Sequence, residues 1–245
     1  MTRWEVASRA NVPPFHVMDL LAAASTRQRT HGDLLDLLAG QPSTGAPAPV
    51  REEAKRLLDS GDPLGYTPAA GILELREAIA AHHERTHGID VHPDEVVVTT
   101  GSSGGFLLAF LAAFEVGDRV AMARPGYPCY RNVLAALGCE VVEIPTGPET
   151  RFQPTVEQVA ELGDVQGLVV ASPANPTGTM LLPGELAALA SYCETERIQL
   201  ISDEIYHGIE YAPLTHGGAP LARSAWETSR EAVVFSSFSK YFSMT

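Results

Sequence analysis

Little in this chain of 245 residues is built for a membrane, a metal ion or a nucleic acid. The longest apolar run, residues 106–114, falls far short of the roughly 20 residues that cross a bilayer and reads as a buried helix. The opening Met1-Thr2-Arg3-Trp4-Glu5-Val6 has no apolar core followed by a cleavage site, so no signal peptide is expected. Three cysteines, Cys129, Cys139 and Cys193, lack Cys-x-x-Cys spacing, and an odd number cannot all pair within one chain. A reducing cytoplasm suits them. The eight histidines show no metal-ligand spacing, so no metal is expected; His82 and His83, late in a helical stretch, read as solvated. A formal charge of −13 without a basic stripe argues against a general nucleic-acid binder. It leaves room for a local site that takes a small anion. No strand is followed by Gly-x-Gly-x-x-Gly, since Gly101-Ser102-Ser103-Gly104-Gly105 has the wrong spacing, which disfavours a nicotinamide dehydrogenase.

What is present is an ordinary globular composition, 45% apolar and 19% charged, in a chain long enough for one large domain or two smaller ones. The first ninety residues carry helical signals at residues 33–38, 51–58 and 72–79, the last with an i, i+3, i+7 stripe of Ile72, Leu75 and Ile79. Loops rich in Gly and Pro separate them, at Gly40-Gln41-Pro42 and Gly65-Tyr66-Thr67-Pro68. From residue 95 the grammar changes. Short β-branched runs at 96–99, 119–122, 140–144, 167–170, 198–201 and 232–235 alternate with helical segments at 106–114, 130–137, 156–162 and 184–197. The pattern predicts an α/β fold, a mostly parallel sheet with helices on both faces.

In such sheets ligands bind beyond the carboxyl ends of the strands, and the chemistry-bearing residues gather there. Gly101-Ser102-Ser103-Gly104 opens a helix and offers N–H groups to a phosphate, or merely makes a tight turn. Asn175 lies in Pro173-Ala174-Asn175-Pro176-Thr177-Gly178, where an isolated asparagine is usually a turn former. Asp203 ends the fifth run, with Tyr206 three residues on; alone, such an aspartate is more often a helix cap. Glu204 competes with it, but Asp203 directly follows the apolar strand and is better placed to face the crevice. The sixth run leads into Ser236-Ser237-Phe238-Ser239-Lys240. An amine, a carboxylate, a phenol, a carboxamide and clustered hydroxyls are the set that holds pyridoxal phosphate covalently.

This ordered set resembles the class I/II aminotransferases, the aspartate-aminotransferase-like enzymes of fold type I. The resemblance runs from Gly40-Gln41-Pro42 through Gly65-Tyr66-Thr67-Pro68 and Arg124-Pro125-Gly126-Tyr127-Pro128 to the lysine segment. It implies pyridoxal 5′-phosphate as cofactor and amino-group exchange between an amino acid and a 2-oxo acid. It also implies that Lys240 carries the Schiff base and then shuttles a proton. Asp203 keeps the pyridine nitrogen protonated, and Asn175 and Tyr206 bond the ring's phenolic oxygen. Tyr127 stacks on the ring. Ser102, Ser103, Ser237 and Ser239 surround the phosphate, Tyr66 reaches the phosphate of a neighbouring subunit in a homodimer, and Gly40 lies near the substrate carboxylate. Cys129 keeps the reading of a small buried thiol, and Arg124 that of a structural ion pair.

The resemblance divides the chain into residues 1–45, an N-terminal arm with part of a small domain, and residues 46–245, a large cofactor-binding domain that is incomplete. Family members continue past the lysine with an arginine-bearing segment, an interior antiparallel strand and a C-terminal small domain. The chain is therefore expected to be a fragment ending at Thr245. A C–S lyase or other α-carbon chemistry on the same constellation is one alternative. A non-catalytic sensor of pyridoxal phosphate or an amino acid is another.

Overall fold

A computed structural model describes residues 5–38, 40–211, 215–216 and 219–244; Met1–Trp4 and Thr245, on which the expectations about the chain ends rest, lie outside that set. Three helices come first: α1 (His16–His31), α2 (Ala48–Asp59) and α3 (Leu73–His87). The helical signal at residues 33–38 is not realised. Gly32 takes the left-handed C-cap conformation, φ 69°, and its N–H closes on the Gln28 carbonyl, ending α1. The chain then folds back, with Arg27 paired to Asp33 at 2.6 Å and the Leu34 N–H on Gln28 Oε1 at 3.1 Å. Capping overrides the local leucine pattern.

The second part of the chain builds the sheet from β1 (Arg119–Arg124), β2 (Glu140–Pro145), β3 (Gly167–Ala171), β4 (Gln199–Asp203) and β7 (Val233–Phe235). Their order is β2-β1-β3-β4-β7 and every pairing is parallel. A small antiparallel ribbon, β5 (Thr215–His216) with β6 (Ala219–Pro220), stands apart. Alternation along each strand sends side chains to opposite faces. Val120 and Met122 of β1, Val169 of β3 and Ile201 of β4 pack with α4 (Gly101–Ala113) and α5 (Pro128–Leu137). Ala121, Leu168, Val170 and Leu200 point the other way, into α6 (Val156–Glu161) and α7 (Pro183–Glu196). Helices cover both faces, as a parallel sheet requires. Because β1 has β2 on one side and β3 on the other, the strand order reverses between β1 and β3. The crevice at their carboxyl ends is the switch point where α/β sheets bind ligands.

Residues 96–99 depart from the expected strand. They are extended but join no ladder among the described residues, and the Val98 N–H instead donates to the Ala70 carbonyl at 2.9 Å. The segment is not far from the sheet. A Cβ placed on Gly105 of α4 would meet both Phe235 of β7, at 2.7 Å, and Thr99 Oγ1, at 3.1 Å. Strand character needs a partner at about 4.8 Å, and β7 pairs with β4 alone. No helix among the described residues is long and apolar enough to cross a membrane.

Gly71 pins the 96–99 segment to the helical part of the chain. Its φ is +98°, and a Cβ there would lie 2.7 Å from Val98 Cγ2. Backbone strain and overlap therefore act together in Gly71→Ala, which should lose about 1–3 kcal/mol in urea unfolding. Stability equal to the parent would show that the contact between residue 71 and Val98 is not held.

Candidate active site

Lys240 follows β7, and its Nζ donates to the Gly40 carbonyl at 2.9 Å while lying 5.6 Å from the centre of the Tyr206 ring. The lysine thus joins the segment after α1 to the turn after β4, two parts of the chain far apart in sequence. A Cβ on Gly40 would stand 4.0 Å from the Tyr206 hydroxyl, so Gly40, Tyr206 and Lys240 share one small volume. Tyr206 is half-buried and bonds Asn175 from the loop after β3. Burial, first, and the nearby Asp203 carboxyl push its phenol above the ordinary value.

Asp203 is the floor of this volume. It is buried, 3% exposed, and accepts hydrogen bonds from the Tyr130 hydroxyl on Oδ2 and from the Ile205 N–H on Oδ1 at 3.2 Å. Burial raises its carboxyl from 3.8 to about 6, against the pull of the Tyr130 and Ile205 bonds and the Lys240 ammonium. Glu204 is equally buried but serves the opposite face. Its Oε1 accepts from Ser202 Oγ and from the Ala225 N–H, both at 2.8 Å. Strand alternation separates the two acids: Asp203 shares a face with Ile201, and Glu204 with Ser202.

Tyr127 closes the other side. It caps α5, contacts Tyr130 edge-on at 5.4 Å between ring centres, and bonds Ser103 in the first turn of α4. A cavity of about 20 Å³ at the switch point is lined by Tyr127, Tyr130, Ala171, Ala174 and Asn175 among others. Ser102 sits half-buried beside Ser103, and Thr100, the N-cap residue of α4, makes no side-chain cap bond. Ser237 and Ser239 shape the turn after β7, the Ser239 N–H donating to Ser237 Oγ at 3.0 Å. Tyr66 is fully exposed. The arrangement therefore gathers Gly40, Ser103, Tyr127, Asn175, Asp203, Tyr206 and Lys240, and leaves Tyr66 facing outward.

Two residues escaped the reading of the sequence. Tyr130 holds the Asp203 carboxylate and could have been found from its place one helical turn after Tyr127. Phe15 packs edge-on against Tyr127 with ring centres 6.1 Å apart, and the Pro13 carbonyl accepts from Asn132 Nδ2 at 3.1 Å. Nothing local in the sequence marks that long-range contact. His83, expected in solvent, is instead buried against His87 and Trp226, with its pKa lowered by burial to about 4. Cys129 is partly rather than fully buried, and Arg124 makes the expected ion pair, with Glu143 at 3.5 Å.

The Asp203 carboxyl binds its proton more tightly in the folded chain than in the unfolded one. The stability it contributes is therefore lost as pH rises from 3.8 through 6. The Tyr130 bond favours the ionised form, so it matters most above that window. Tyr130→Phe should cost about 1–3 kcal/mol in urea unfolding at pH 8, and less at pH 5. A cost that does not change with pH would show that the phenol does not bond an ionised Asp203.

The family model "Aminotransferase class I and II" matches residues 32–245. The valine–pyruvate aminotransferase of Mycobacterium tuberculosis is 64% identical over 241 residues, covering 98% of this chain and 61% of that protein. A crystal structure of an aminotransferase from M. tuberculosis superposes with a TM-score of 0.92 at 63% identity, covering 99% of this chain and 61% of that one. Aspartate aminotransferase from Thermus thermophilus with maleate gives 0.90 at 32% identity, over 98% of this chain and 62% of that one. The chain thus spans about 61% of the M. tuberculosis protein it matches. On the family match, with a buried acid, a lysine, a phenol and a carboxamide converging at the strand ends, the chain belongs to the class I and II aminotransferases.

Proposed function

We infer that the protein carrying this chain is a pyridoxal-phosphate-dependent aminotransferase that moves an amino group between an amino acid and a 2-oxo acid. The observation that carries the reading is the buried Asp203 carboxyl with Lys240, Tyr206 and Tyr127 around it and Asn175 beside Tyr206. The residues fit the cofactor. A carboxyl raised to about 6 by burial lacks a strong cationic partner, and a protonated pyridine nitrogen is such a partner. The uncapped start of α4 offers N–H groups and a dipole to a phosphate.

When bound, the cofactor supplies an aldehyde that captures amines and a cationic ring that withdraws electrons from the substrate Cα. Lys240 Nζ would hold it covalently and, once displaced by substrate, take the proton from Cα and return it elsewhere. Asp203 would keep the proton on the ring nitrogen. Tyr206 and Asn175 would donate to the phenolic oxygen, and Tyr127 would cover one face of the ring, screening it from water. Ser102, Ser103, Ser237 and Ser239 would receive the phosphate, and Gly40 would border the substrate carboxylate. In one half-reaction an amino acid leaves as its 2-oxo acid; in the other a second 2-oxo acid leaves as an amino acid. The 64% identity to a valine–pyruvate aminotransferase supports valine and pyruvate as the first pair to test.

The exposed Tyr66 supports a homodimer, in which its phenol would serve the partner's phosphate. Residues 1–45 would form an arm and part of a small domain, and residues 46–245 the large domain, in a cytoplasmic enzyme.

The two lysines of this chain are Lys55 and Lys240. Lys55 is exposed and pairs with Glu52 at 3.1 Å. Borohydride treatment of the cofactor-loaded protein should fix the cofactor on the peptide containing Lys240; an adduct mainly on Lys55 would overturn the assignment. Asp203→Asn should keep the cofactor bound yet lose at least about 100-fold in turnover of valine with pyruvate. Near-normal turnover in that variant, with Glu204→Gln inactive, would assign the acid to Glu204.

A further inference from the structure

On the far side of β4 from Tyr130 lies a buried cluster that the chemistry above does not use. Its centre is His207, directly after Tyr206. The His207 ring places Nε2 3.0 Å from the carbonyl oxygen of Ser172, in the loop that leads to Asn175. Nδ1 lies 3.7 Å from Glu204 Oε2, a buried oxygen without a hydrogen-bond partner among the described residues. The ring of His87, on α3, is 5.3 Å away, with His83 behind it. From the turn at Ala225–Glu227, Glu227 faces His87 at 3.6 Å, and Arg223 pairs with Glu227.

The protonation pattern follows from the partners. A backbone carbonyl only accepts, so His207 Nε2 carries the hydrogen and donates it. Burial and the neighbouring His87 and His83 hold the ring neutral, lowering its pKa to about 4. Nδ1 is then a bare acceptor turned toward Glu204, whose carboxyl burial raises to about 7. A protonated Glu204 suits that lone pair, whereas a carboxylate would repel it.

The bond spans two strand ends. The Ser172 N–H already donates to the Asp203 carbonyl at 3.1 Å, which ties the last residues of β3 and β4. The loop after Ser172 carries Asn175 and the turn after Asp203 carries Tyr206, and the His207–Ser172 bond is a second link between the two segments. The Asn175 loop also closes on itself, the Ala174 N–H donating to the Thr179 carbonyl at 2.9 Å and Ser172 Oγ accepting from the Leu181 N–H at 3.1 Å. Movement at Ser172 is therefore passed to the whole loop.

We propose that His207 is a positioning residue, whose Nε2–H bond to the Ser172 carbonyl clamps the Tyr206 turn against the Asn175 loop. It so sets the phenol and carboxamide that face the cofactor's phenolic oxygen. The proposal rests on the functional reading above for its consequence, and on the His207–Ser172 geometry for the clamp itself.

Two measurements separate these. In the cofactor-free protein at pH 7, nitrogen-15 NMR of the His207 ring should show a neutral imidazole with its hydrogen on Nε2 and slow exchange. A hydrogen on Nδ1, or a doubly protonated ring, overturns the clamp. In the protein loaded with pyridoxal phosphate, the pH midpoint of the visible band reads the donors at the phenolic oxygen. His207→Leu should move that midpoint upward by about half a unit or more. His207→Gln, whose amide N–H stands in for Nε2–H, should restore it. If His207→Leu does not fold, His207→Asn, whose amide falls short of Ser172, takes its place. An unchanged midpoint in the variant that lacks the bond overturns the positioning role. A parent protein with no visible band at all overturns the functional reading and that role together, while the NMR result still decides the clamp.

Discussion

A carboxylate taken out of water at the end of β4 is the constraint on which the site depends. Burial raises Asp203 to about 6, and the fold answers with the donors it has, the Tyr130 hydroxyl and the Ile205 N–H, together with the more distant charge of Lys240. An ionised acid in that position is costly unless a cation joins it. The surrounding elements wall the crevice that this acid faces. β1 and β3 diverge at the switch point to leave room, α5 brings Tyr127 and Tyr130, and β7 delivers Lys240.

Charge is divided across β4 with a clear logic. On the face toward α4 and α5 stands Asp203, directed at the crevice. On the opposite face Glu204 Oε1 accepts from Ser202 and Ala225, and Oε2 faces His207, with His87 and His83 behind. The buried carboxyls and the buried histidines respond to pH in opposite senses. The buried carboxyls, raised in the fold, lose their contribution as pH rises toward 6 and 7, whereas His83 and His207, lowered to about 4, lose theirs as pH falls from 6.5. His83, which reads as solvated in the sequence, is buried with His87 behind Glu204 and His207.

The sheet and the site were legible in the sequence to different depths. Five of the six β-branched runs became ladder strands, because a strand buried on both faces advertises itself by continuous apolar residues. Residues 96–99 carry the same composition without a ladder, since pairing is a property of the neighbour and not of the run. Asp203 was read over Glu204 because it directly follows the apolar strand, and the structure puts the two carboxyls on opposite faces. Tyr130 was legible through helix spacing, but Phe15 against Tyr127 and Gly40 against Lys240 are contacts of high sequence separation that no local pattern encodes. The 33–38 segment shows the converse, a helical composition cancelled by a glycine cap and a side-chain clasp just before it.

The most direct test of this account is the titration of Asp203 itself, followed by carbon-13 NMR of the labelled carboxyl before and after loading with pyridoxal phosphate. The account expects a carboxyl raised to about 6 in the cofactor-free protein and well below its ordinary value once the cofactor's ring nitrogen is beside it. An ordinary pKa in the cofactor-free protein, or a raised one that does not move on loading, would contradict it.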